Sequence, residues 1–299
     1  MAEPAEFEKQ RERLWGIAYR ITGSVADADD ALQDAWLRWR RLPDDRAENP
    51  AGYLTAVVSR ICYDQLTSAR ARREAYIGPW LPEPVVTEAG PEERATLDDS
   101  VGTALLTVLE RLTPAERTAL VLHDAFAVPF AEIADVVGRT PESVRQLASR
   151  ARRRVRAEAP RRTVDRAEHR RTVDAFLAAA VDGDLAGLAR ILDPEVVWRT
   201  DGDGLVGAAR VPVVGREKVT HFIGHALRAF VPGRTRMGRF DVNDAPGLVV
   251  TGIATGVAAD SSAAVYAFTV RGGLITRIDC TLNPAKLAHL DLAALHGPR

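Results

Sequence analysis

Polar side chains suited to reading DNA bases are concentrated between residues 140 and 156. In "FAEIADVVGRTPESVRQLASRARRRVR" (130–156), helical spacing places Val144, Leu147 and Ala151 on one face of a helix. The side chains left on the outer face are Ser143, Arg145, Gln146, Ser149 and Arg150. Arginine and glutamine can each make paired hydrogen bonds to the edge of guanine or adenine. This face therefore predicts contact with DNA bases.

Two helices joined by a turn would position these side chains. Ile133, Val136 and Val137 form the apolar side of the first helix, Gly138 permits a sharp turn, and Thr140 caps the second helix. This pattern is that of a helix-turn-helix, whose second helix can enter the major groove. The arginines suited to the phosphate backbone are Arg152, Arg153, Arg154 and Arg156. The alternative is a solvated basic helix end, and the combined pattern favours DNA binding over it.

A second group of reactive side chains surrounds "TDGDG" (200–204). Asp201 and Asp203 follow Trp198 and Arg199, and a carboxylate in an apolar pocket can have its pKa raised enough for acid or base catalysis. The same residues are also typical of a turn after a strand. We favour the turn or an interdomain contact over catalysis, and we expect no catalytic residue.

Histidines and cysteines give no indication of a metal site. His221 and His225 in "HFIGH" lie one helical turn apart, as zinc ligands can. Phe222 stands where the zinc protease motif needs glutamate, and no third ligand is apparent, which favours a structural pair. Cys62 and Cys280 lack paired spacing. We expect neither metal nor cofactor.

Composition indicates an ordinary globular protein with a hydrophobic content of 46% and a charged content of 27% in 299 residues. No apolar run reaches the roughly 18–20 residues that span a bilayer, and the charged start lacks a signal peptide's apolar stretch. We expect a cytoplasmic protein without membrane contact. The net charge of −1 hides strong local asymmetry.

The hydrophobic pattern divides the chain into helical segments and a later α+β segment. Helices are expected at 6–22, 25–41 and 50–73, and "TPAE" (113–116) is a capping box within a helical stretch from 94 to 156. After about residue 168, helices lead into a run of strands, which indicates an α+β domain. The expected strands are 195–200, 235–242, 247–254, 262–271 and 273–281. The expected divisions are 1–74, a linker at 75–93, 94–158 and 168–299.

Three stretches resemble the extracytoplasmic-function sigma factors of bacterial RNA polymerase, in that family's order and spacing. They are "AYRITGSVADADDALQDAWLRW" (18–39), "NPAGYLTAVVSRICYDQLTSARARRE" (49–74) and "LERLTPAERTALVLHDAFAVPFAEIADVVGRTPESVRQLASRARRRVR" (109–156). The resemblance implies a helical region 2 at 1–74 and a helix-turn-helix region 4 at 94–158. It also implies two partners, core RNA polymerase and promoter DNA, and a role in transcription initiation rather than an enzyme activity.

The resemblance implies roles for particular residues. The expected core polymerase contacts are Asp27, Asp30, Gln33 and Asp34, although such a stripe can also be a solvated helix face. The expected minus-ten contacts are Tyr53, Arg60, Tyr63, Arg70, Arg72 and Arg73, and either tyrosine can instead belong to the core. The expected minus-thirty-five contacts are Thr140, Ser143, Arg145, Gln146, Ser149, Arg150 and Arg153.

The C-terminal segment resembles the SnoaL-like fold, a cone-shaped α+β domain that one group of these sigma factors carries as a fused extension. Three motifs link the chain to that group: "WLPEP" (80–84), "DGDG" (201–204) and "NPAKL" (283–287). The group's usual forms are WLPEP, DGGG and NPDKL, so Asp203 replaces a glycine and Ala285 an aspartate. The resemblance implies a regulatory extension, with an inhibiting or an activating effect both left open.

The linker stretch "GPWLPEPVV" (78–86) is stiff and apolar where a connector is expected to be polar. We hypothesise that it docks on the SnoaL-like domain, because a stiff segment loses little entropy on docking. The alternative is a rigid spacer packed on its own helical domain. The expected interdomain residues are Trp80, Leu81, Pro82, Glu83, Pro84, Asp201, Gly202, Asp203, Gly204, Asn283, Pro284, Lys286 and Leu287.

Two other functional classes stay open at this point. In one, the SnoaL-like domain binds or converts a small metabolite. In the other, the chain is a repressor that binds duplex DNA without polymerase. The free protein is expected to be monomeric.

Overall fold

The computed structural model describes residues 4–42, 49–74, 76–88, 103–158, 165–204, 209–231, 233–253 and 263–292. The chain forms two compact units. Unit 1 comprises Met1–Ala75 and Leu105–Ala159, and unit 2 comprises Tyr76–Ala104 and Pro160–Arg299. The described part of the expected linker, residues 76–88, therefore belongs to the unit that holds the C-terminal segment.

The first part of unit 1 is entirely helical, as the periodicity predicts. Its helices are α1 (Pro4–Thr22), α2 (Val25–Arg40) and α3 (Pro50–Glu74). Ser24 begins α2 by accepting a hydrogen bond from the backbone N–H of Asp27. Leu32 and Trp39 of α2 and Leu54 of α3 are buried. These residues form the apolar stripes on which the helix assignments depended.

The helical stretch from 103 to 158 contains the second set of expected elements. They are α4 (Thr103–Leu109), α5 (Pro114–Leu120), a π-helix (Val121–Ala125), α6 (Phe130–Val137) and α7 (Pro141–Glu158). The capping box is confirmed: Thr113 and Glu116 exchange hydrogen bonds between side chain and backbone. Gly138 ends α6 with φ 67°, a left-handed conformation that glycine adopts without strain.

The α+β expectation for the C-terminal segment is confirmed. The helices of unit 2 are α8 (Arg166–Val181), α9 (Leu185–Ile191), α10 (Arg216–Ala226) and α11 (Pro284–Leu287). The strands are β1 (Val86–Glu88), β2 (Leu192–Asp201), β3 (Val213–Val214), β4 (Arg236–Val242), β5 (Ala245–Thr251), β6 (Ala263–Arg271) and β7 (Leu274–Thr281). They form a mixed sheet in the order β1-β4-β5-β6-β7-β2-β3, in which β2 and β7 are parallel.

The sheet buries side chains on both faces. Leu248 and Phe268 belong to the core formed on one face with α8, α9 and α10. On the opposite face, Val249 packs in a smaller cluster with Leu287 of α11, and Val86 of β1 lies against this cluster. Because successive residues of a strand point to opposite faces, β5 contributes to both cores. The linker strand therefore extends the sheet and helps to cover it.

Candidate nucleic-acid interface and linker site

The helix-turn-helix has the geometry that its sequence predicts. Val144 and Leu147 of α7 are buried together with Ile133 of α6. At the start of α7, the backbone N–H of Ser143 donates to Thr140 Oγ1 at 3.3 Å. Capping and apolar packing thus fix which face of α7 is turned outward.

The outward face of α7 carries the expected minus-thirty-five contacts. Those exposed to solvent are Thr140, Arg145, Gln146, Arg150 and Arg153, and Ser143 and Ser149 are half-buried. The Arg145 guanidinium carbon lies 5.4 Å from the centre of the Phe130 ring, and Arg153 donates to Ser149 Oγ at 3.2 Å. Such contacts order long side chains at the surface before any base is bound.

The acidic face of α2 is exposed as a continuous stripe. Asp30, Gln33 and Asp34 are exposed and Asp27 is half-buried. Leu37, one turn further along the same helix, is 41% exposed. Sequence reasoning missed Leu37, although its spacing from Gln33 and Asp34 was a signal that it shares their face.

The expected minus-ten residues of α3 fall into three groups. Tyr53 and Tyr63 are half-buried, and the Tyr53 ring centre lies 6.0 Å from that of Trp39. Arg60 donates from Nη1 to the backbone carbonyl of Val136 at 2.7 Å. Arg70, Arg72 and Arg73 lie in the last turns of α3, and their side chains are outside the described residues.

Asp201 is the centre of a buried cluster in unit 2. Its side chain is fully buried at the end of β2. The backbone N–H of Leu81 donates to Asp201 Oδ2 at 2.7 Å, and the Tyr76 hydroxyl donates to Oδ1. The Lys286 ammonium group lies 2.7 Å from Oδ2. The three motifs WLPEP, DGDG and NPAKL therefore meet at one carboxylate.

Lys286 is held by groups that replace its water shell. It is 3% exposed, and besides Asp201 its Nζ donates to the backbone carbonyl of Leu81. The same nitrogen lies 3.3 Å from the centre of the Trp80 ring and 5.3 Å from that of Tyr76. A buried ammonium group is stable in such surroundings because carboxylate, carbonyl and aromatic faces compensate its charge.

Tyr76 is a member of this cluster that sequence reasoning missed. Asn283 Nδ2 donates to its hydroxyl at 3.0 Å. Burial and the hydrogen bond to Asp201 raise the pKa of Tyr76 above its ordinary value, so it stays a donor. Its ring packs edge-on against that of Trp80, with centres 4.8 Å apart. The signal that could have indicated its role is its position as an aromatic residue four places before Trp80.

The rest of the linker is held by backbone pairing. β1 pairs antiparallel with β4, with Val86 opposite Val242. Just before it, Val85 N–H donates to Asn243 Oδ1 at 2.9 Å, and Asn243 N–H donates to the Val85 carbonyl at 2.8 Å. Pro84 O lies 2.9 Å from Nε2 of His289. In the WLPEP motif itself, Leu81, Pro82 and Pro84 are buried, and Trp80 and Glu83 are half-buried.

The two departures from the group's motifs leave the cluster intact. Asp203 has φ 48°, a left-handed conformation that favours glycine and that aspartate adopts more readily than most residues. Gly202 is buried, and an added Cβ at Gly204 would lie 3.3 Å from Ile77. In the NPAKL motif, Asn283 caps α11, Pro284 begins it and Leu287 is buried, whereas Ala285 is exposed.

The candidate reactive groups of unit 2 are not assembled into a catalytic site. Trp198 lines a cavity of about 20 Å³ inside the cone, the volume of about one water molecule, and its lining includes Phe230 and Tyr266. Asp201 is instead occupied by the linker and Lys286. His221 and His225 are exposed. In the described part of the chain, no group of three or more His, Cys, Asp or Glu side chains could hold a metal ion.

Fold and site together define a helical DNA-binding protein that is fused to an α+β domain. Family comparisons give the same division: residues 7–72 match Sigma-70 region 2, residues 103–155 match Sigma-70 region 4, and residues 173–278 match the SnoaL-like domain. Among the helices that the structure describes, none combines the length and the apolarity that a membrane crossing requires.

Curated relatives and a solved structure extend the match over nearly the whole chain. The ECF RNA polymerase sigma factor SigJ of Mycobacterium tuberculosis is 41% identical over 291 residues, which cover 95% of this chain and 93% of that protein. The probable ECF RNA polymerase sigma factor SigI of the same species is 37% identical over 75% of this chain and 85% of its own. The SigJ crystal structure superposes with a TM-score of 0.75 and 36% identity, covering 97% of this chain and all of that one.

The chain belongs to the extracytoplasmic-function RNA polymerase sigma factors. It is a promoter-recognition subunit for transcription initiation, with a SnoaL-like domain after region 4. The resemblance stated from the sequence motifs is therefore confirmed. Sigma factors are not enzymes, and they act by binding core RNA polymerase and promoter DNA.

Proposed function

We propose that the SnoaL-like domain regulates this sigma factor in cis by holding the segment between regions 2 and 4. The observation that carries the proposal is the buried Asp201 carboxylate, which accepts the Leu81 backbone N–H beside the Lys286 ammonium group. β1 then continues the sheet of the same domain. A connector held by a carboxylate, a cation and a strand pairing is no longer a free tether.

Docking of the connector limits how far apart regions 2 and 4 can act. Fully extended, residues 75–102 could span up to about 95 Å, whereas residues 89–102 alone span up to about 48 Å. The minus-ten and minus-thirty-five elements are centred about 25 base pairs apart, or about 85 Å along B-DNA. When residues 76–88 are docked, the distance that they contribute between regions 2 and 4 is fixed. We therefore expect docking to restrict the promoter spacings that the protein can use.

Transcription in vitro from promoters of graded spacing tests this proposal. Core RNA polymerase is combined with the full-length protein or with Asp201→Asn, and initiation is measured as the spacing is changed one base pair at a time. The wild type should show a narrow optimum and Asp201→Asn a broader one. Glu217→Gln, the same loss of charge on the exposed surface of α10, is the matched control. Identical spacing profiles for the wild type and Asp201→Asn would contradict regulation through the linker.

We propose that three surfaces of unit 1 have the roles that the family match implies. The outward face of α7 would read the minus-thirty-five element, α3 would contact the minus-ten element, and the acidic stripe of α2 would bind core polymerase. Exposure of Arg145, Gln146 and Asp34 supports these roles, as does the pairing chemistry of arginine and glutamine with base edges.

We also propose that the protein acts in the cytoplasm together with RNA polymerase, has no catalytic activity of its own and is monomeric when free. The cavity of about 20 Å³ inside the cone is far smaller than a typical ligand pocket, which supports the view that the cone itself holds no substrate.

A further inference from the structure

Two arginines in the second half of α7 are paired with acidic residues of region 4. Arg152 donates from Nε and Nη2 to the Asp124 carboxylate, both at 2.6 Å. Arg154 donates from Nη1 to Glu116 Oε2 at 3.0 Å. By residue type both arginines suit the phosphate backbone, but their charges are compensated inside region 4. The positive charge of α7 is therefore divided between internal pairs and exposed groups such as Arg153.

Glu116 is the buried acceptor in this arrangement. The residue is 4% exposed, and its Oε2 also accepts hydrogen bonds from the backbone N–H and the hydroxyl of Thr113, at 3.1 and 2.9 Å. The N–H bond belongs to the capping box that begins α5, so the start of that helix fixes the position of the carboxylate. A buried carboxylate is costly without a compensating cation, and Arg154 supplies one.

The other oxygen of Glu116 faces a second arginine of α7. Oε1 lies 3.8 Å from Arg150 Nε, and Arg150 precedes Arg154 by four residues, which places the two on the same side of the helix. The contact lies at Nε, so Nη1 and Nη2 can still act as a pair of donors. The Arg150 side chain is 52% exposed. A guanine edge is recognised by such a pair of donors.

We infer that Glu116 is a positioning residue for promoter recognition, which orients Arg150 toward the bases of the minus-thirty-five element and keeps Arg154 away from DNA phosphates. An arginine bound to phosphate adds affinity for every sequence alike, whereas an arginine aimed at a base edge discriminates between sequences. Holding Arg154 lowers the sequence-independent affinity against which Arg150 must discriminate. The inference rests on the proposed reading of the minus-thirty-five element by α7.

Glu116→Gln separates this role from the structural role of the same side chain. Glutamine also serves at this position of a capping box, and its amide oxygen can accept the two bonds from Thr113, so the urea midpoint should stay close to that of the wild type. The amide nitrogen then takes the place of Oε1, and its N–H groups face the N–H groups of Arg150. Arg154 loses its charged partner and can bind a phosphate instead.

Promoter binding by the full-length protein with core RNA polymerase tests the inference. Affinity is measured at several salt concentrations for a promoter fragment and for the same fragment with a scrambled minus-thirty-five element. In Glu116→Gln the ratio of the two affinities should fall at least about 5-fold, the lower end of what one paired base contact contributes. The slope of log affinity against log salt concentration should steepen by about 0.9, because one more phosphate contact releases counterions. Glu12→Gln, the same loss of charge on the exposed surface of α1, is the matched control and should behave as the wild type.

Two variants of Arg154 test the phosphate part of the inference. Arg154→Met leaves the capping box untouched and should keep the wild-type slope, since Arg154 makes no phosphate contact in the wild type. Glu116→Gln/Arg154→Met should return the steeper slope to that of the wild type, while the affinity ratio stays low because Arg150 is still displaced. These results together support the inference. A shallower slope in Arg154→Met, a steeper slope that persists in the double variant, or an unchanged ratio or slope in Glu116→Gln overturns it.

Arg150→Ala distinguishes failure of this inference from failure of the proposed function. If α7 reads the minus-thirty-five element and only the role of Glu116 is wrong, Arg150→Ala lowers the affinity ratio and Glu116→Gln does not. If α7 does not read this element, both variants keep the ratio of the wild type.

Discussion

Replacing Lys286 with methionine is the sharpest test of the linker site. Methionine fills a similar volume but carries no charge, so Asp201 would remain buried without its cation. Removing one partner of a buried ion pair costs about 3–5 kcal/mol. Asp201 keeps the hydrogen bonds from Leu81 and Tyr76 in this variant, so we expect about 3 kcal/mol. Because each 1.4 kcal/mol changes an equilibrium constant tenfold, the population of molecules with a released linker should rise about 150-fold.

Hydrogen exchange measures this opening directly. The backbone N–H of Leu81 is the donor to Asp201, so a peptide covering residues 76–88 reports release of the linker in the full-length protein. Exchange of this peptide should accelerate in Lys286→Met. Peptides from α1 should be unaffected and serve as an internal reference. Lys218→Met, which removes an exposed lysine from α10, is the matched control.

The double variant Asp201→Asn/Lys286→Met decides whether the two charges act as a pair. Each single variant leaves one charge buried alone, whereas the double variant removes both. The free-energy changes of the two single variants should therefore not add. The double variant should release the linker less than their sum predicts. Additive effects, or unchanged exchange in Lys286→Met, would refute the account of the cluster as a coupled ion pair.

Two further predictions concern the DNA-reading helix and a buried histidine. Arg145→Ala should weaken promoter binding by about 1–3 kcal/mol and relax base preference at one promoter position. Arg153→Ala should weaken binding to all promoters alike and lower the slope of log affinity against log salt concentration by about one. Binding of labelled promoters to polymerase with each variant, at several salt concentrations, distinguishes the two. Burial lowers the pKa of His169 from 6.5 to about 4. The folded state thus favours the neutral ring. This contribution to stability is fully present above pH 6.5, and the free energy of unfolding falls by about 3 kcal/mol as the pH drops to 4. His169→Leu should lose this part of the pH dependence of the urea midpoint, and an unchanged difference between pH 7 and pH 4 would contradict it.

The helix-turn-helix could be predicted from sequence because its determinants are local. Apolar spacing selected Val144 and Leu147 as buried, and Gly138 and Thr140 marked the ends of the two helices. Each of these signals acts within one or two helical turns. The outward face of α7 consists of the residues that remain once the buried ones are assigned. Contacts to particular bases stay a prediction, since they depend on the DNA.

The linker site could be predicted only in part, because its contacts are distant in sequence. The stiff, apolar character of Trp80 and Leu81 indicated docking. Asp201 could not be recognised as the acceptor, since its partner Lys286 lies 85 residues further along the chain. "TDGDG" is also an ordinary turn sequence. Pairing of β1 with β4 uses backbone groups, which leave no mark in the residue types.

The linker is restrained by contacts that lie inside unit 2. Release of the linker exposes a buried ion pair, and water can then solvate both charges, which offsets much of the lost attraction. The equilibrium between the held and the released linker is thus set inside the protein. Residues of the linker site should therefore alter the promoter spacing that the protein accepts.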